Sequence, residues 1–232
     1  MLASGSILAG GTLLGASPEQ ACAAKHDFFE VREMKADVLV AGGGLAGVCA
    51  AIAAARNGAS VIFVQDRSRL GGNSSSEIRM HVCGANHSKV LALWRETGII
   101  EELKLTESAT NPQRSFEMWD LLLYDKVTSE PNITLMLDTA IIDAESENDR
   151  IARVRAISPL MNESYLIEAA FFIDCTGDGT LAAAAGADCM RGREGKDVYG
   201  ESLAPDTTDM KTMGNSLLFF SRKHDKPMPF EA

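Results

Sequence analysis

The stretch from Asp37 to Gln65 constrains this chain more than any other. Asp37-Val-Leu-Val-Ala41 is a short apolar, β-branched run, consistent with a buried parallel strand. It runs directly into Gly42-Gly43-Gly44-Leu45-Ala46-Gly47, which fits the pattern G-x-G-x-x-G. The Ala-rich segment Val48 to Arg56 has high helix propensity, and Gly58 stands where a helix C-terminal cap belongs. Ser60 to Gln65 is a second apolar strand. Strand, glycine turn, helix and strand in this order make a βαβ unit with a dinucleotide-binding loop. Gly42 permits the tight turn, Gly44 lets backbone N–H groups approach a pyrophosphate, and Gly47 lets the helix pack on the strand. The helix N-terminus adds partial positive charge for the phosphates. A glycine-rich strand–helix turn without a ligand is the plainer alternative. At the end of the second strand Gln65 stands where an adenosine ribose is held. A neutral Gln makes a weaker bond there than a carboxylate. The adjacent Asp66 is the reserve.

Composition narrows the class. Of 232 residues, 46% are apolar and 23% charged, the profile of a globular protein and not of a disordered, collagen-like or disulfide-stapled chain. Lys and Arg number 22 against 32 Asp and Glu, a formal charge of −10, which argues against a nucleic-acid partner. The five cysteines, Cys22, Cys49, Cys83, Cys175 and Cys189, form no C-x-x-C pair, and no His is spaced to complete a metal site. Cys49 and Cys175 read as small buried hydrophobes.

The N-terminus has the character of a clipped export signal. Ile7 to Ala16 is apolar but too short to span a bilayer, and Ala21-Cys22-Ala23 is a small-x-small triplet before Ala24. The first basic residue is Lys25, so the positive start of such a signal is missing. The expectation is a periplasmic or cell-envelope protein without a stable membrane span. The alternative is an Ala/Gly-rich tail on a cytoplasmic one.

Folded sequence is expected from near Asp37. Lys89 to Leu105 reads as helix broken at Gly98. Ser115 to Thr128 is a clearer helix, with Phe116, Trp119, Leu122, Leu123 and Val127 on one face. Trp94 and Trp119 are expected in the core. Short strands follow near Ile133–Asp138, Ile141–Glu147, Ile151–Ile157, Tyr165–Ala169 and Phe171–Asp174, then a helix over Thr180–Ala185.

Three motifs together carry a resemblance: Gly42–Gly47, Leu70-Gly71-Gly72-Asn73 within Arg67–Arg79, and Ile173-Asp-Cys-Thr-Gly-Asp-Gly179. From about Ala36 to Ser221 the chain resembles the FAD-dependent oxidoreductases of the fumarate-reductase and heterodisulfide-reductase-like group. The resemblance implies an α/β fold: a glutathione-reductase-like FAD/NAD(P)-binding Rossmann-type domain, with a parallel sheet and a small antiparallel β-meander. It implies FAD as cofactor. It divides the chain into an export-signal remnant and linker (1–35), an FAD-binding domain (36–190) and the start of a substrate domain or connecting segment (191–232). The loop from Arg67 through Gly71, Gly72, Asn73, Ser74 and Ser75 would pass along the pyrophosphate towards the flavin. The backbone near Ile141 would face the adenine, and Thr176, Gly177 and Asp178 would close over the ribityl–phosphate side. Asp at the mouth of a helix is also a common N-cap.

The polar residues after the flavin loop are the candidates for the reacting side. Arg79 would stabilise reduced flavin or bind a substrate carboxylate, and His81 would accept a proton from a substrate hydroxyl. The structural alternative pairs Arg79 with Glu77 and buries His81 in the core. His87 is a weaker candidate. The reading is an FAD-dependent oxidoreductase moving a hydride between a small organic substrate and FAD, with a separate electron acceptor. The alternatives are an NAD(P)-dependent Rossmann dehydrogenase and a non-catalytic FAD-binding subunit. Related flavoenzymes carry a large substrate domain and a late return to the FAD domain. Neither is found here, so the chain reads as a fragment, inactive by itself.

Overall fold

A computed structural model describes residues 30–83, 96–214 and 221–229. The export-signal reading, Cys22, His87 and Trp94 lie outside these residues. Six strands form one mixed sheet in the order β3-β2-β1-β6-β5-β4. They are β1 (Glu30–Ala41), β2 (Val61–Val64), β3 (Ile133–Met136), β4 (Ala140–Glu147), β5 (Arg150–Ser158) and β6 (Glu163–Asp174). β1 pairs in parallel with β2 and β6, and β2 with β3. β4, β5 and β6 form the antiparallel meander.

Both faces of the parallel part are covered, which is why its strands read as unbroken apolar runs and not as alternating ones. On one face Val38, Val40, Val61 and Phe63 pack under three helices: α1 (Leu45–Arg56), α2 (Gly98–Thr110) and α3 (Phe116–Thr128). On the other, Leu39, Ala41, Ile62 and Val64 meet Val154, Ala156, Tyr165 and Ile167 of the meander and Leu181 of α4 (Thr180–Ala184). A last short helix, α5, covers Lys196–Tyr199. Cys49 and Cys175 are half-buried against the first cluster, and burial pushes both thiol pKa values up.

Two strand boundaries differ from the sequence reading. β1 begins at Glu30 and not near Asp37, and the segments Tyr165–Ala169 and Phe171–Asp174 are one continuous strand. The causes are linked, because β1 and β6 pair along their whole length, from Glu30 with Glu163 to Ala41 with Asp174. The added half of β1, Glu-Val-Arg-Glu-Met-Lys, is polar and alternating. Its charges are met across the sheet by Arg32–Glu163 at 2.6 Å and Lys35–Glu168 at 3.7 Å.

α3 follows expectation, burying Trp119, Leu122, Leu123 and Val127, with Ser115 as N-cap accepting from the Met118 N–H. α1, α2 and α3 are joined at their solvent edge. Arg56 donates to Glu102 at 2.7 Å and to Glu130 at 2.6 Å, and Lys126 donates to Glu102 at 3.0 Å. Bonds from Arg56 and then Lys126 hold the Glu102 carboxyl down at about 2.

Candidate cofactor-binding site

The glycine loop leaves β1 at its C-terminal end, where ligands of such sheets bind. Gly42 has φ +94°, and a Cβ there would overlap the Cys175 carbonyl at the end of β6. A Cβ on Gly47 would overlap the Gly42 carbonyl oxygen, and one on Gly43 would come within 2.8 Å of Gln65 and Leu70. Gly44 is different: a Cβ there would meet nothing within 4 Å. It opens α1 without a side-chain cap, so the first-turn N–H groups of Leu45 and Ala46 are not taken up by a capping side chain.

The second loop lies against the first. The Gly71 N–H donates to Gly43 O at 2.7 Å, Gly44 and Gly71 form a β-bridge, and a Cβ on Gly72 would approach Gly44 Cα to 3.2 Å. Gly71, at φ +107°, turns the chain into a single 3-10 turn over Gly72–Ser74. Ser74 and Ser75 are buried and serve the loop itself. The Ser74 hydroxyl donates to Gly71 O at 2.9 Å and accepts the Trp119 indole N–H at 3.1 Å, and Ser75 Oγ accepts the Glu77 N–H at 3.3 Å. Asn73 is left exposed on the outer side of the turn. Two supports from α3 escaped the sequence. Trp119 is core, as expected, but also holds Ser74. Asp120 is buried and accepts from the Ser76 N–H at 2.9 Å, the Ser76 hydroxyl at 2.5 Å and Arg69 at 3.3 Å. An Asp beside a Trp on the inward face was the available signal.

The two neighbours offered for the ribose differ in where they stand. Gln65 is turned inward and bonded at both ends: its Oε1 accepts the Gly43 N–H at 2.6 Å and its Nε2 donates to Arg69 O at 3.0 Å. It shapes the glycine loop from below. Asp66 points outward and lines a cavity of about 300 Å³ with Gly42, Thr139, Ile141, Thr176 and Asp178. The expected adenine-side residue, the acidic residue and the late Thr-Gly-Asp turn thus share one cleft. Gly177, at φ +85° with open space around it, keeps that turn clear of side chains.

Asp178 does not cap α4, whose N-cap is Gly179. That work falls to Asp174, which accepts from the Thr176 N–H and hydroxyl at 2.9 and 2.7 Å and from the Ala182 N–H at 2.9 Å. Burial alone would raise its pKa, but the hydrogen bonds from Thr176, Ala182 and Leu181 outweigh this and hold the carboxyl below its ordinary value.

On the reacting side, Arg79 adopts φ +62° and donates to Ser76 O at 2.9 Å and to Glu117 at 3.0 Å. Glu77 pairs instead with Arg67 at 3.3 Å, so the Glu77–Arg79 pair considered from sequence does not form. His81 is exposed and not a core residue, with Cys83 Sγ at 3.5 Å from its Nε2. Both line a second and larger cavity, of about 890 Å³, which also touches Ser74 and Trp119.

Residues 37–229 match the family model described as FAD dependent oxidoreductase. The search of curated proteins found no match. Among solved structures, the flavin-dependent brominase Bmp2 aligns with a TM-score of 0.50 at 14% identity, over 69% of this chain and 43% of its own. A geranylgeranyl bacteriochlorophyll reductase-like protein from Thermoplasma acidophilum aligns with a TM-score of 0.49 at 18% identity, over 70% of this chain and 45% of its own. The flavin-dependent monooxygenase PieE, solved with FAD and substrate, aligns with 0.48 at 15%, over 70% and 34%. The chain spans less than half the length of each. The shared feature is the fold, an FAD/NAD(P)-binding Rossmann-type sheet with an antiparallel extension.

Proposed function

This chain belongs to the FAD dependent oxidoreductase family, and from that premise we propose that it is the FAD-binding portion of an enzyme that moves a hydride between a small organic substrate and FAD. Its cofactor is FAD. The observation that carries the reading is the open space at Gly44, in a loop whose neighbours Gly42, Gly43 and Gly47 have no room for a Cβ. A cradle with backbone N–H groups and no Cβ suits a pyrophosphate, and the residues present fit the cofactor.

In this reading the first-turn N–H groups of α1 would hold the phosphates and the carboxylate of Asp66 would accept from the adenosine ribose hydroxyls. Thr176 and Asp178, which line the same cleft, would close its far wall, and Ile141 would stand on the adenine side. FAD, when bound, supplies the hydride acceptor and donor, and the protein supplies binding, orientation and electrostatics. Asn73 lies at the turn that leads towards the reacting ring. Arg79 holds the loop to α3 through Glu117. His81, exposed on the larger cavity, carries the substrate proton on its imidazole. A separate acceptor takes the electrons.

The test is calorimetric titration of the full chain, freed of cofactor, with FAD and in parallel with NAD. FAD binding with perturbed visible flavin bands, and no comparable heat from NAD, is the expected result. Tight NAD binding without FAD binding would make the chain a nicotinamide-dependent Rossmann dehydrogenase instead. FAD binding in a chain whose full-length protein never reduces its flavin with any donor would make it a non-catalytic subunit.

A further inference from the structure

The larger cavity carries chemistry of its own. It is bounded by the segment His81–Cys83, by α2 and by the turn into α3, and it reaches Ser74 of the flavin-side loop and Trp119 of α3. Two cations stand in its wall, Lys104 on α2 and Arg114 in the turn. Several basic side chains elsewhere are matched: Arg56, Arg69, Arg79, Lys126, Arg153 and Arg193 each reach a carboxylate. Among the described residues Lys104 and Arg114 make no ion pair, in a chain of net charge −10.

Arg114 is also placed at a cost. Its φ is +52°, a left-handed conformation that a non-glycine residue holds only where its surroundings impose it. The imposing group is Asn111, which is 2% exposed. Its amide donates to Ser115 O at 2.8 Å, its Oδ1 accepts the Ser115 N–H at 2.9 Å, and its carbonyl accepts the Arg114 N–H at 2.9 Å. The turn is thereby locked with an arginine on the cavity wall. The adjoining surface is aromatic, from Phe116 and Trp119. Glu107 contributes one opposing charge, which disfavours a doubly charged guest.

We infer that this cavity binds a small organic monocarboxylate, its carboxylate on Arg114 and Lys104 and its apolar body against Phe116 and Trp119. A planar guanidinium matches a carboxylate with two parallel hydrogen bonds, and the aromatic wall matches an aromatic or aliphatic body. The site itself stands on the cavity alone. Its meaning as the substrate side rests on the FAD reading, because Ser74 joins it to the flavin loop.

The experiment titrates the full chain, without and with FAD, using benzoate, benzamide and inorganic phosphate as probes. Benzoate is expected to bind the cofactor-free chain, at least tenfold more tightly than either benzamide or phosphate. Arg114→Gly is expected to weaken benzoate at least tenfold while melting no lower than the natural chain, since glycine relieves the left-handed backbone. Lys104→Ala is expected to weaken it several-fold. In the FAD-loaded chain benzoate is expected to shift the visible flavin bands. Equal benzoate affinity in Arg114→Gly, or phosphate binding as tight as benzoate, would overturn the site. Benzoate binding that leaves the flavin bands unmoved would overturn its place beside the flavin. Failure of the natural chain to take up FAD would overturn the FAD reading alone, because benzoate binding is read on the cofactor-free chain.

Discussion

Gly47→Ala should cost about 3 kcal/mol or more of stability, at or above the upper end of ordinary overpacking penalties. For a chain of this size that is a fall in Tm of about 6–12 °C. A methyl group on Gly47 would overlap the carbonyl oxygen of Gly42, a backbone atom with no side-chain freedom to yield. Gly42 cannot retreat either, since it is wedged at φ +94° against the Cys175 carbonyl. The strain therefore spreads into both β1 and the β6 turn, and with it the cleft shared by Gly42, Asp66 and Thr176. Thermal melts of the two proteins check this, and a variant melting within about 2 °C of the natural chain would mean the loop is looser than described.

Gln65→Glu should separate two roles that one position can play. Were Gln65 the ribose ligand, a carboxylate would strengthen cofactor binding through a charge-assisted hydrogen bond. The structure gives the opposite sign. The Gln65 amide must both accept from the Gly43 N–H and donate to Arg69 O, and it does so at 5% exposure. A carboxylate can only accept, so it would face the Arg69 carbonyl with like partial charge and bury a net charge. The expected loss is about 1–3 kcal/mol in denaturant melts, from the unmade bond and the desolvated oxygen. FAD affinity should fall with it, because Gly43 sets the loop. Gln65→Ala should lose stability too, whereas Asp66→Asn should leave stability near the natural value and weaken FAD binding. Tighter FAD binding by Gln65→Glu at unchanged stability would return the ribose to Gln65.

What was legible in the sequence follows a physical divide. The βαβ unit was readable because burial on both faces makes β1 and β2 uniformly apolar and because each loop glycine answers a local steric demand. The polar half of β1 was not readable, since Glu30 to Lys35 is stabilised by its partner in β6, more than 120 residues away in sequence, and not by local pattern. Strand parity puts Gln65 before Asp66 for the ribose, but parity holds only within a strand. The strand ends at Val64, and the chain beyond it is steered by Gln65 bonding to both loops. Asp174 reads as the end of a strand, which it is, but local pattern gives no sign that its carboxylate also organises the turn into α4. Asp120 is hidden in the sequence because an acid on a helix usually faces water, whereas here the backbone N–H of Ser76 gives it a buried partner. The large cavity was least legible of all, for it is assembled from the ends of three separate segments.

The central claim is that the glycine loop is a cradle for FAD and not merely a tight turn. Gly44→Ala tests it directly, because a methyl group at that position meets no protein atom within 4 Å and its φ of −64° suits any residue. Its Tm should match the natural chain, while its FAD affinity in the same calorimetric titration should fall at least tenfold. FAD binding unchanged by the added methyl would contradict the account.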